Sequence, residues 1–282
     1  YPAQNGKTGK GDYFDIDAKT FAEWGIDSFK FDGCNEDPKN MDELYPKMGE
    51  SLNKTGRHMV FICEWPLYQL HGKIKPNYTS IANTCHVYRN HGDVGDSWAS
   101  ISSIIQFYGD NNEEFIKYNG PGHWNDPDMV MVGDFGLSYE QSRTHMAMWA
   151  MFSAPLYMSN DLRDLKPEDK QILQNKEIIA VNQDKHGIMA KRVFIDDKFL
   201  FVQTQFVHLG FHLLFTSIRQ QIYLLSMSEK ISTLIPGAKD VSEYTVEDLF
   251  KDEVFKDMKG SNLELKVATG GGCRMVKLVP KK

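Results

Sequence analysis

Ser28-Phe29-Lys30-Phe31-Asp32-Gly33 is a short alternating run that ends on an acid and a glycine. Phe29 and Phe31 fall on one face, Lys30 and Asp32 on the other, the period of a β-strand. Similar short apolar runs recur at residues 58–63, 84–88, weakly at Gly122-His123-Trp124, and at 154–158. Between them lie stretches of helical period at 18–24, 41–52, 97–108 and 139–152, and one that Pro167 opens and that reaches Ile179. Strand and helix in alternation predict a parallel sheet of βα units. Asp32, Glu64, Asp93 and Asp126 follow successive strands at intervals of 32, 29 and 33 residues. In a (β/α)₈ TIM barrel all strand ends converge on one face, so these acids would share one mouth. No G-x-G-x-x-G or P-loop follows any strand, which disfavours an open nucleotide-binding sheet.

After Gly187 the texture changes to short strands: 191–196, 199–207, 211–218, 222–227, 262–267 and 275–279, with Gly270-Gly271-Gly272 as a turn. The expected organisation is a barrel-type catalytic domain at 1–190 and an antiparallel β-sandwich at 191–282.

The composition is that of a globular protein: 282 residues, 41% hydrophobic and 25% charged. The net charge of −6 disfavours nucleic acid or an anionic membrane as main partner. Residues 191–282 hold 14 Lys+Arg and 11 Asp+Glu, so the acidity sits in the first two thirds. Phe199 to Met227 is apolar but carries Gln203, Gln205, His208, His212 and Arg219, too many polar groups for a membrane span. The chain opens on turn-forming residues without Met or an apolar leader, and reads as the later part of a longer protein. Two sequons, at Asn53 and Asn77, suit a glycosylated protein of the secretory route.

Acids ringed by aromatics suit sugar chemistry, since a pyranose offers apolar C–H faces and a rim of hydroxyls. Phe29, Phe31, Trp65, Tyr68, Tyr88 and Trp124 all stand near the strand ends. A glycosidase needs one carboxylate kept ionised and another able to carry a proton. Lys30 lies on the face of Asp32 and would hold it ionised. Asp93 could donate the proton, with Arg89 gripping a substrate hydroxyl. A solvent-facing strand end and a helix cap are the bland alternatives for these two acids, although Asp96 and Ser97 are better placed to cap. Trp124-Asn125-Asp126-Pro127-Asp128-Met129 is equally a turn of the expected composition. No metal site is expected: H-E-x-x-H is absent and His208 and His212 lack an obvious third ligand. Nor is there a G-x-S-x-G elbow, and Met148, Met151 and Phe152 read as a buried helix face.

Lys30-Phe31-Asp32-Gly33-Cys34, Cys63-Glu64-Trp65-Pro66-Leu67-Tyr68, Arg89-Asn90 with Asp93, Trp124 to Met129, and Ala154-Pro155-Leu156-Tyr157-Met158-Ser159-Asn160-Asp161 resemble the animal lysosomal α-galactosidases. That clan also holds α-N-acetylgalactosaminidase, and the resemblance runs almost without gaps from Asp15 to Gln183. It implies a (β/α)₈ barrel followed by an antiparallel domain, and a retaining hydrolase of terminal α-galactosides without cofactor. The nucleophile would be Asp32 and the acid/base Asp93. Lys30, Arg89, Tyr68, Asp128 and Met129 would line the sugar pocket. Glu64 and Leu67 match the galactosidase version, two large side chains filling space beside the 2-hydroxyl where the sister enzyme admits an acetamido group. The resemblance also implies a Cys63–Cys85 disulfide, glycans on Asn53 and Asn77, a homodimer, and a lysosomal or secreted location.

Three departures accompany it. The family's first three barrel strands, with paired aspartates and a tryptophan wall, have no counterpart, leaving five strands. Cys34 lacks its upstream partner and is expected to be a free, buried or ill-behaved thiol. Residues 202–226 barely resemble the family's second domain. The alternatives are therefore α-N-acetylgalactosaminidase, or an inactive, truncated sugar-binding remnant.

Overall fold

The computed structural model describes residues 12–195, 199–206, 210–217, 224–234, 240–251 and 259–281. They fall into two compact units. One runs to Gly92 and takes in Gly122–Pro127; the other comprises Asp93–Pro121 and the chain from Asp128 onward.

The first unit is a parallel sheet covered by helices. Its elements are α1 (Asp12–Glu23), β1 (Ser28–Phe31), α2 (Met41–Lys54), β2 (Val60–Cys63), α3 (Trp65–His71), α4 (Tyr78–Thr84) and β3 (Val87–Arg89). In the second unit α5 (Trp98–Asp110) and α6 (Asn112–Lys117) follow, before the chain returns to the first as β4 (Trp124–Asp126). The sheet order is β1-β2-β3-β4, every pairing parallel, with Phe31 opposite Cys63, Cys63 opposite Tyr88, and Arg89 opposite Asp126. All four strands therefore end at the same edge, and residues just past them gather there.

Packing explains the order. Met41, Leu44, Tyr45, Met48 and Leu52 recur at helical spacing and bury one face of α2. Tyr45 stands edge-on to Phe31 at 5.1 Å and stacks on Trp65 at 5.5 Å, and its hydroxyl donates to the Phe31 carbonyl at 3.0 Å. From α1, Phe14 and Ala18 are fully buried, Phe14 lying edge-on to Phe31 at 5.9 Å. Trp65 and Gln69 of α3 both donate to Asp42 Oδ1, at 3.0 and 2.9 Å, fixing α3 to the start of α2.

The second unit continues with α7 (Tyr139–Met151), α8 (Pro167–Leu173) and α9 (Lys176–Asn182). A reciprocal Ser138–Gln141 capping box starts α7, and every residue from Ser142 to Met151 is buried. Met148, Met151 and Phe152 are core, as their spacing predicts. The strands are β5 (Lys191–Ile195), β6 (Phe199–Phe206), β7 (Gly210–Ser217), β8 (Leu224–Lys230), β9 (Tyr244–Asp248), β10 (Asn262–Ala268) and β11 (Cys273–Pro280). All pair antiparallel, in a five-stranded sheet ordered β5-β6-β7-β11-β9 and a ribbon β10-β8. No helix among the described residues is long and apolar enough to cross a membrane.

Three differences from the sequence reading have physical causes. The expected fifth strand at 154–158 makes one isolated parallel bridge, Val130 with Met158, and no ladder. Pro155 has no N–H to give a ladder, and Ser153 enters the segment at φ 52°. The run 84–88 starts later, as β3, because α4 extends through Thr84. Cys34 is a free thiol but exposed, not buried. His208 lies outside the described residues.

Candidate active site

Gly33 opens the site in the first unit. A Cβ there would stand 2.5 Å from the Tyr68 ring and 2.6 Å from the Met41 side chain, so glycine lets α3 and α2 close over the end of β1. The closure brings the Tyr68 hydroxyl to Asp32 Oδ1, to which it donates at 2.7 Å. Cys34 Sγ donates to the same oxygen at 3.2 Å. Burial alone would raise the Asp32 carboxyl. The Tyr68 hydroxyl, then Cys34, the Gly33 amide and the Lys30 ammonium outweigh it and hold Asp32 below the usual aspartate range. Tyr68 moves oppositely: burial and the adjacent carboxylate hold its proton well above the usual tyrosine range, so it stays a donor.

Lys30, expected to be the group that keeps Asp32 ionised, is the least of those influences. Its ammonium stands 2.7 Å from Glu64 Oε1, and Arg89 Nη1 reaches the same oxygen at 3.5 Å. Glu64 and Arg89 are both buried, so a carboxylate lies between two cations at the ends of β1, β2 and β3. Leu67, on the first turn of α3, is buried as well. A buried chain ties the last strands: Tyr78 donates to Asn90 Oδ1 at 3.0 Å, and Asn90 Nδ2 donates to Asn125 Oδ1 at 2.7 Å. Cys63, the residue before Glu64, forms a disulfide with Cys85. Asn53 and Asn77 are exposed, and Asn77 caps α4 by accepting from the Ser80 amide at 3.2 Å.

Asp93, Asp128 and Met129 belong to the second unit. Asp93 and Met129 are exposed and Asp128 is half-buried. Asp128 adopts φ 82°, which a short polar side chain tolerates. Its Oδ2 accepts from the Val94 amide at 2.8 Å, and its carbonyl accepts from Trp149 Nε1 at 2.7 Å. Behind it His145 is fully buried, its Nε2 accepting from the Met131 amide at 2.9 Å; burial pushes this imidazole down to about 3. Ser97, not Asp93, caps α5, accepting from the Ser100 amide at 3.2 Å. The sequence reading weighed Asp96 only as a cap and gave Cys34 no part beside Asp32. For Cys34 the i, i+2 spacing on the turn was the available signal.

Residues 3–184 match the family described as Alpha galactosidase A. The chain belongs to that family. Alpha-galactosidase A of Homo sapiens is 49% identical over 195 residues, 69% of this chain and 45% of its own length. Alpha-N-acetylgalactosaminidase of Gallus gallus is 48% identical over 182 residues, 64% of this chain and 45% of its own. This family member thus spans about 45% of the curated relatives it matches. Alpha-galactosidase I from Mortierella vinacea superposes with a TM-score of 0.81 at 26% identity, covering 95% of this chain and 72% of that one. An alpha-galactosidase from Saccharomyces cerevisiae shares the fold at 19% identity and a TM-score of 0.80.

Proposed function

We propose that the protein is a retaining glycoside hydrolase that releases terminal α-linked galactose by double displacement. Asp32 attacks the anomeric carbon, and Asp93 protonates the departing oxygen and then deprotonates water. The observation that carries this reading is the Asp32 carboxylate, kept ionised by Tyr68 and Cys34 at the end of β1. A nucleophile needs that state, and an exposed carboxylate at a parallel-sheet edge can meet a sugar. Lys30, Arg89, Asp128 and Met129 line the sugar site in this reading. Glu64 and Leu67 crowd the 2-position and select galactose over its N-acetylamino analogue. In this reading that pair decides between the two activities that the relatives' names carry.

The same reading assigns the parallel sheet to a (β/α)₈ barrel domain at 1–190 and the antiparallel strands to a sandwich at 191–282. Glycans on Asn53 and Asn77, a lysosomal or secreted location and a homodimer complete it; both asparagines are open to solvent. Parallel assays on p-nitrophenyl α-galactoside and its N-acetylgalactosaminide test the function. Turnover of the first with little of the second supports it. The reverse preference assigns α-N-acetylgalactosaminidase. Turnover of neither by a chain that melts cooperatively overturns the enzyme reading, and a galactose-dependent rise in Tm would then mark a binding remnant.

A further inference from the structure

The loop that carries Asp93 is held just after that residue by two carboxylates. Immediately after it, the Val94 amide donates to Asp128 Oδ2 at 2.8 Å. Three residues along, Asp96 Oδ2 accepts two successive amides of another loop, Phe135 N at 2.9 Å and Gly136 N at 2.7 Å. The fit is tight enough to exclude a side chain: a Cβ on Gly136 would lie 2.0 Å from the Asp96 carbonyl oxygen. Between the two anchors the Gly95 amide donates to Ser100 Oγ at 2.8 Å, and Ser97 caps α5. Residues 94–97 are thus fastened one after another, while Asp93 itself is exposed to solvent.

The arrangement carries a cost that a simple turn would avoid. Asp96 Oδ1 is buried and makes no hydrogen bond. Leaving a buried polar oxygen unmatched is unfavourable, the more so on a charged group. A carboxylate accepts two amides more strongly than a neutral group does, which suits a clamp whose task is precision. The Asp128 anchor is itself braced, since the Asp128 carbonyl accepts from the fully buried Trp149 of α7.

We propose that Asp96 is a positioning residue for proton transfer: by tying residues 93–97 to the 133–136 loop it fixes the direction in which Asp93 delivers its proton. This rests on Asp93 as the acid/base. A misplaced acid loses much of its advantage, because proton transfer requires hydrogen-bond reach to the leaving oxygen.

The full chain, with variants Asp96→Ala, Asp96→Asn and Asp93→Ala, tests this in two ways. The first is kcat/KM, which reports the glycosylation step, for an alkyl α-galactoside and for 2,4-dinitrophenyl α-galactoside, whose leaving group needs no proton. Asp96→Ala is expected to lose roughly a hundredfold on the alkyl substrate and little on the activated one. Asp96→Asn, which keeps an acceptor for both amides, is expected to recover most of the loss. Equal losses on both substrates would make Asp96 a mere staple and overturn the inference. Asp93→Ala separates the premise: if its loss is not selective for the alkyl substrate, the acid/base assignment falls first. The second readout is amide hydrogen exchange, which needs no turnover. In Asp96→Ala, exchange should rise at Val94, which Asp96 does not bond, as well as at Phe135 and Gly136. Unchanged protection at Val94 would overturn the clamp.

Discussion

Tyr68 donates its hydroxyl to Asp32 Oδ1 at 2.7 Å, on a carboxylate that a cysteine thiol also approaches to 3.2 Å. Both donors favour the charged form against the pull of burial. Removing the stronger one therefore lets the Asp32 carboxyl rise. In Tyr68→Phe the acid limb of the kcat/KM profile should move to higher pH, with the rate at the alkaline plateau falling less than the rate at low pH. A profile that keeps its acid limb in place would show that Tyr68 does not set the ionisation of Asp32.

Glu64 and Leu67 are both buried, and Glu64 answers Lys30 and Arg89. Leu67→Ala leaves a cavity and should cost about 2–5 kcal/mol of stability. In the proposed site the vacated volume is what an acetamido group would fill. The ratio of N-acetylgalactosaminide to galactoside turnover should rise roughly 10–200-fold. Stability loss without a change in that ratio would place Leu67 in the core and away from the sugar.

His145 titrates near 3 when folded, because burial disfavours the imidazolium, against about 6.5 when unfolded. A depressed histidine binds its proton in the unfolded chain first. Stability from this group is therefore complete above about pH 6.5 and is lost as pH falls toward 3, at about 1.4 kcal/mol per pH unit. His145→Gln keeps an acceptor for the Met131 amide and removes the titration. Its melting temperature should vary less between pH 7 and 4 than the parent's; an identical slope would put the acid sensitivity elsewhere.

The Cys63–Cys85 bridge closes a loop with a sequence separation of 22 that contains Glu64. Loop-closure entropy gives such a bridge about 3 kcal/mol, and Cys85→Ser should lose that much in a denaturant titration. An unchanged midpoint would mean that the reduced chain keeps the same constraint by packing.

What the sequence disclosed followed periodicity. Strand-end acids and the long amphipathic helices α2 and α5 were legible because each repeats its pattern over several turns or several units, and α7 by its long run of helical spacing. Helix α3 was not, since seven residues beginning Trp65-Pro66 are too few for a period, though Pro at the first turn is a start signal. Strand β9 escaped for another reason: its inward positions are Val246 and the buried Asp248, so hydrophobic alternation is broken. At the site, the strand pattern points to Lys30 as the group that holds Asp32 charged, because it shares a strand face two residues away. The geometry hands that task mainly to Tyr68, 36 residues distant, and turns Lys30 toward Glu64. Pairings across the chain depend on how α3 folds back over Gly33, and no spacing along the strand reveals that.

Covalent capture of the nucleophile is the most direct measurement. The full chain would be treated with 5-fluoro-α-galactosyl fluoride, digested and sequenced by mass spectrometry. A galactosyl adduct on the peptide of Phe31-Asp32-Gly33, placed on Asp32 by fragmentation and absent in Asp32→Asn, is the expected result. A chain that hydrolyses galactosides but carries the adduct on another carboxylate, or forms none, would contradict it.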